Sequence, residues 1–137
     1  MLKTTLFSLA AGLVSQAIVA QNTETYFASF PSISPDAQTL VYCFEGDIWK
    51  TDLNTKVSTR LTAMRGTESR PKISPDGKWL AFTGEQMGNT DVYIMPLNGG
   101  EVKQLTFHSA ADVVSNFSWD SKTIYFTSSR YGPASAY

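Results

Sequence analysis

The string Ile33-Ser34-Pro35-Asp36 returns forty residues later as Ile73-Ser74-Pro75-Asp76. It returns again, degraded, as Phe117-Ser118-Trp119-Asp120 after another forty-four. An apolar run follows each copy: Leu40 to Phe44, Leu80 to Phe82 and Ile124 to Phe126. Self-similarity at such a period restricts a chain to architectures that stack one supersecondary unit. A second set of matches keeps a spacing of its own. Asp47-Ile48-Trp49 answers to Asp91-Val92-Tyr93, Leu53-Asn54 to Leu97-Asn98, and Leu61-Thr62 to Leu105-Thr106, all forty-four apart. The offset changes once, where Glu45-Gly46-Asp47 is replaced by Glu85-Gln86-Met87-Gly88-Asn89-Thr90-Asp91. One four-residue insertion in one hairpin loop accounts for every spacing.

Each unit reads as four short strands. In the second, Arg70 to Ser74 leads into the turn Ser74-Pro75-Asp76-Gly77. There proline presets φ, aspartate caps the backbone and glycine relieves the exit. Trp79 to Thr83 alternates Leu80 and Phe82 with Ala81 and Thr83, the period of a strand. Gly88-Asn89 turns the chain, Val92 to Met95 forms a third strand, Asn98-Gly99-Gly100 a tight hairpin and Val102 to Leu105 a fourth strand. Four-stranded units at this period predict an all-β fold, a β-propeller of four-stranded blades. A β-sandwich would not require near-identical turns at a fixed period. The blades are expected at about 30–62, about 69–106 and, in part, about 113–137, within a propeller region spanning 21–137. Adding forty-four to Asp91-Val92-Tyr93 lands on Ser135-Ala136-Tyr137, so the sequence is expected to stop within the third blade. Such a piece alone is expected to leave an apolar face and a sheet edge exposed.

The first twenty residues stand apart. Lys3 precedes an apolar stretch, Leu6 to Val14, and small residues follow. The stretch is too short to span a bilayer, which takes roughly 20 apolar residues. The pattern predicts a signal peptide over 1–20, cut after Ala20, or second after Ala17, and a periplasmic or secreted protein. Cys43 is the only cysteine, so no internal disulfide is available. A net charge of −1 lacks the basic surplus a nucleic-acid binder needs.

No residue here reads as catalytic, cofactor-binding or metal-ligating. Asp36, Asp76 and Asp120 each belong to a separate turn, and equivalent blade positions lie around a ring. His108, Ser109 and Asp112 hold the residue types of a triad but no nucleophile motif. His108 reads as an exposed loop residue. Cys43 aligns with Thr83 and Thr127, a small strand position that fits packing. Trp49, Tyr93 and Tyr137 share one register and read as inter-blade packing, as do Trp79 and Trp119. Gly99-Gly100 and Gly88-Asn89 are turn glycines, and no phosphate loop or metal motif is present.

The core Ile-Ser-Pro-Asp-Gly-Lys-Trp-Leu-Ala-Phe at 73–82 resembles the Pro-Asp, WD-type propeller repeat shared by TolB, prolyl-oligopeptidase relatives and tricorn proteases. More discriminating is the order Gly88-Asn89-Thr90-Asp91-Val92-Tyr93-Ile94-Met95-Pro96, Gly99-Gly100, Leu105-Thr106, His108, Ala111-Asp112-Val113-Val114 and Tyr125 to Arg130. Together with Phe30-Pro31-Ser32-Ile33-Ser34 and Gly46-Asp47-Ile48-Trp49, it resembles the first propeller of secreted tricorn-like serine peptidases. Ser121 departs from the pattern where glycine is usual, so the third turn is expected to be less regular. The resemblance implies propellers that filter or steer peptides ahead of a PDZ-like domain and a protease domain carrying the catalytic serine. It implies proteolysis for the full-length protein, which could also be a homo-oligomer, and no catalytic residue within these 137. It also implies a peptide or protein substrate or partner, and no cofactor. A TolB-like, non-catalytic envelope module and a prolyl-oligopeptidase-type enzyme share the same repeat.

Overall fold

The computed structural model describes residues 27–131 and 135–136. The expected signal peptide and Tyr137 lie outside the described residues. The strands are β1 (Ser29–Ile33), β2 (Thr39–Phe44), β3 (Asp47–Asp52), β4 (Val57–Arg60), β5 (Glu68–Ile73), β6 (Trp79–Gly84), β7 (Asp91–Pro96), β8 (Lys103–Gln104), β9 (Asp112–Phe117), β10 (Ile124–Ser128) and β11 (Ser135–Ala136). They form three antiparallel sheets in sequential order: β1-β2-β3-β4, β5-β6-β7-β8 and β9-β10-β11. Among the described residues there is no helix long and apolar enough to cross a membrane.

Strand register repeats as the offsets require. Ile33 pairs with Leu40, Ile73 with Leu80 and Phe117 with Ile124. Across the second hairpin Cys43 faces Ile48, Thr83 faces Val92 and Thr127 faces Ala136. The insertion sits wholly within the loop between β6 and β7, so no pairing shifts. A one-residue slip would have sent every core side chain to the wrong face.

The sheets stack through both faces of the middle one. Val41, Cys43 and Ile48 of the first sheet pack on Leu80, Phe82, Tyr93 and Met95 of the second. The opposite face of the second sheet, Ala81 and Val92, packs on Val114 and Phe117 of the third. Of the first strands, β5 packs directly on both β1 and β9, so the sheets converge on these three strands. These three strands form an inner wall.

The three Ser-x-Asp turns are alike. Ala37, Gly77 and Ser121 each donate N–H to the carbonyl of the turn serine at 2.9 Å, with φ of 55°, 71° and 62°. The less regular third turn expected from Ser121 is therefore not found. Serine adopts the left-handed conformation, and its Oγ accepts the Asp76 N–H at 2.9 Å across the sheet junction. Ala37 gains no such contact among the described hydrogen bonds, while an L-residue held left-handed costs about 1 kcal/mol. Ala37→Gly is expected to raise the melting temperature slightly, by roughly the gain of 0.5 kcal/mol, measured by thermal unfolding.

Two tryptophans depart from the expected packing role. Trp119 stands where the other turns hold proline, and it is 92% exposed. Trp79 is partly exposed at the edge of the second junction. Trp49 shares its register with Tyr93, but only Tyr93 is covered by a neighbouring sheet. Trp49 meets the edge of Phe44, with ring centroids 5.9 Å apart, on the face of the first sheet turned away from the second.

Candidate functional site

The inner wall is where three repeat units bring equivalent positions together. Residues 30, 70 and 114 are one such set: Phe30, Arg70 and Val114. Residues 32, 72 and 116 are another: Ser32, Lys72 and Asn116. β1 and β5 are each interrupted by a bulge, and the bulge residues Phe30 and Arg70 have φ of 51° and 52°. Glycine usually takes that conformation, so both side chains are presented at a backbone cost.

The irregularities in β5 and β9 each leave a backbone donor that the preceding sheet satisfies. Thr83 Oγ1 accepts the Val114 N–H at 3.0 Å. Cys43, its counterpart, accepts the Arg70 N–H through sulfur. Burial pushes the Cys43 thiol up to about 11, so it is an inert acceptor and not a thiolate nucleophile. This explains the small polar residue at 43 and 83, beyond the packing role the sequence suggests; at 127 the Thr127 hydroxyl donates instead to the Val113 carbonyl at 3.5 Å.

The Arg70 guanidinium lies over the Phe30 ring, 5.3 Å from its centroid. A cleft of about 210 Å³ opens beside it, lined by Phe30, Arg70, Lys72, Val114, Ser115 and Thr127 among others. Among the described residues that line it, arginine and lysine are the charged ones and there is no carboxylate. An anion entering it would meet two cations in a partly enclosed space, where Coulomb attraction is stronger than in open water.

Above the wall, each sheet junction holds a polar cluster built from equivalent positions. At the first junction Arg60 pairs with Asp47 at 3.2 Å, while Thr62 and Gln86 donate to Glu68 at 2.9 and 3.0 Å. At the second, Gln104 and Thr106 donate to Asp91 at 3.1 and 2.9 Å, while Arg130 pairs with Asp112. Arginine and glutamine have exchanged places between the two. Thr62 and Thr106 also accept the N–H groups of Ile48 and Val92, at 2.8 and 3.0 Å. Glu68 has no arginine and is 1% exposed. Burial pushes its carboxyl above the ordinary 4.5, the Asp47 charge adds to this, and the Thr62 and Gln86 donors oppose it. A raised folded-state value favours the native state fully below the ordinary value, and that contribution is lost as pH rises through the raised one. Glu68→Gln is therefore expected to gain stability relative to the parent as pH climbs from 4.5, read from urea unfolding across that range.

The remaining residues weighed from the sequence do not converge. Asp36, Asp76 and Asp120 each accept from the serine hydroxyl of their own turn, at 2.5, 2.6 and 2.6 Å. That hydroxyl first, and a backbone N–H second, hold all three below the usual carboxylate range. His108 Nδ1 accepts the Ala110 N–H at 3.0 Å in an exposed loop. Asp112 is committed to Arg130, so His108, Ser109 and Asp112 form no triad. Among the described residues no group of three or more His, Cys, Asp or Glu could hold a metal ion.

Comparison with known proteins agrees with the repeat architecture. Tricorn protease homolog 1 of Streptomyces coelicolor is 30% identical over 118 residues, covering 85% of this chain and 11% of that protein. TolB from Acinetobacter baumannii superposes with a TM-score of 0.71 at 32% identity, over 82% of this chain and 29% of that one. The tricorn protease itself shares the fold, with a TM-score of 0.64 at 20% identity, over 74% of this chain and 11% of that one. The chain spans at most 40% of the length of the curated relatives it matches. The tricorn protease N-terminal β-propeller domain family matches residues 25–137, nearly everything after the expected signal peptide. By that match, and by three sheets repeating one register, the chain belongs to the family of tricorn protease N-terminal β-propeller domains.

Proposed function

We propose that these residues are the non-catalytic propeller segment of an exported tricorn-like serine peptidase, and that their inner wall binds or gates peptide. The three units at about 30–62, 69–106 and 113–137 are taken as its blades, and 1–20 as the leader that directs it to the periplasm or outside. The observation that carries the reading is the basic and aromatic wall: Arg70 on Phe30, with Lys72 two residues on. Peptides offer carboxylates and apolar side chains, and this wall supplies the complement to both.

The test is hydrolysis of short peptides by the full-length protein. Arg70→Ala with Lys72→Ala is expected to lower kcat/KM roughly tenfold for peptides with a free carboxyl terminus, and much less for their amides, since hydrogen bonds to charged groups contribute about 1.5–3 kcal/mol. Unchanged kinetics in the double variant would remove the wall from the reading. The likeness to TolB favours a second reading, a non-catalytic binding module. Absence of any peptide hydrolysis by the full-length protein, together with retained capture of envelope proteins, would select it.

A further inference from the structure

The repeat supplies an internal control. A residue that the blade needs recurs at 40 and 44; a residue that does not recur answers to something else. Among the phenylalanines that fail to recur, three lie together. Phe27 is replaced by Thr67 and Ala111, Phe30 by Arg70 and Val114, and Phe44 by Gly84 and Ser128. Packing between the described sheets does not require them, because the sister sheets form without them.

All three line one cleft of about 250 Å³ beside the start of the inner wall. Phe27 is 82% exposed and Phe30 45%, so aromatic surface is left open to solvent at a cost. The edge contact with Trp49 fixes Phe44. Among the described residues, the charged ones lining the cleft are Glu45, at the exposed hairpin tip, and Glu68, buried at the junction, with no lysine or arginine. Arg70 stands on the other side of Phe30 and lines the neighbouring cleft. Its position over the ring shows that Phe30 accepts a cation on one face.

We infer that the cleft formed by Phe27, Phe30, Phe44, Glu45 and Glu68 holds an organic ammonium group carried by a peptide, either its amino terminus or a basic side chain. Aromatic faces attract cations through the ring quadrupole, and the exposed Glu45 carboxylate at the rim supplies the charge. A simple hydrophobic side chain would use the rings but leave the Glu45 carboxylate unused. The inference rests on the peptide reading above and adds a second, oppositely charged subsite on the far side of Phe30. An amino group would be held at one cleft and a carboxylate at the other.

The experiment uses the full-length protein and a short apolar peptide labelled near its carboxyl end, with binding read by fluorescence anisotropy. Three forms are compared: free amino terminus, acetylated terminus, and acetylated with one internal lysine. The free terminus or the lysine form is expected to bind about tenfold tighter than the neutral form, equivalent to about 1.4 kcal/mol; which of the two does so identifies the source of the cation. Phe27→Thr, which installs the sister residue at an exposed site, and Glu45→Gln are each expected to abolish that difference. Butylammonium chloride is expected to compete where butanol does not. Equal affinity for all three forms would overturn the ammonium site while leaving peptide binding standing. Insensitivity to both substitutions would overturn its location. If no form binds but butylammonium still quenches Trp49 fluorescence through the Phe44 contact, the peptide reading fails and the cation cleft stands; loss of both overturns the two together.

Discussion

Gly66→Ala is expected to destabilise the protein by on the order of 3 kcal/mol. Gly66 lies in the loop from β4 to β5 with φ of 83°. A Cβ there would stand 2.3 Å from the Glu85 carbonyl oxygen and 2.9 Å from its carbon. Both are backbone atoms and cannot rotate away. Retreat is blocked as well: the Glu85 N–H donates to the Thr67 carbonyl at 3.2 Å, and the Glu68 N–H to the Gly46 carbonyl at 2.8 Å. The left-handed backbone and the clash therefore act together. Gly46 is the control. Its φ is also 83°, but a Cβ would meet nothing within 4 Å, so Gly46→Ala should cost only the conformational part, about 1 kcal/mol. Denaturant unfolding of both variants measures the difference. Equal losses would mean that the loop can move off Glu85.

Phe82→Ala is expected to cost about 3–5 kcal/mol, the range for removing a large aromatic side chain from a core. Phe82 is 0% exposed and lies at the centre of the first junction, among Val41, Ile48, Leu80 and Met95. It stacks on Tyr93 with ring centroids 5.6 Å apart and planes 17° apart. Alanine would leave a cavity that two rigid sheets cannot close. Tyr93→Phe separates the ring from its polar atom. The Tyr93 hydroxyl is buried with no hydrogen-bond partner among the described residues. Removing it is expected to be neutral or stabilising by up to about 1 kcal/mol, because an unsatisfied buried hydroxyl is a cost. Unfolding of the two variants side by side tests stacking against desolvation. A large loss in Tyr93→Phe would mean that the hydroxyl has a partner.

The architecture was legible because strand register is a linear property. Offsets of 40 and 44 place Cys43 opposite Ile48 and Thr83 opposite Val92, and those pairs are found. Turn chemistry was legible for the same local reason, apart from Ser121. Its tolerance depends on the Asp76 N–H, a donor forty-five residues away. Contacts between sheets were harder to read. Nothing near Cys43 announces that Arg70 will need an acceptor, and the exchange of arginine and glutamine between the junctions shows only when Arg60, Gln86, Gln104 and Arg130 are placed in space. Trp119 misled because a large aromatic in a repeat invites a packing role, whereas its turn position points to solvent. The phenylalanines at 27, 30 and 44 carried a signal that could have been used: the mismatch with their sister positions.

The capping of bulges between sheets also has a direction in time. Cys43 precedes the Arg70 N–H that it satisfies, and Thr83 precedes that of Val114. A chain emerging from the ribosome thus presents each acceptor before the strand that needs it has been made. Every finished sheet can serve as a template for the next, and the bulge donors of β5 and β9 do not wait for a partner still to be synthesised. The seams between sheets are ordered like the act of translation, from amino end to carboxyl end.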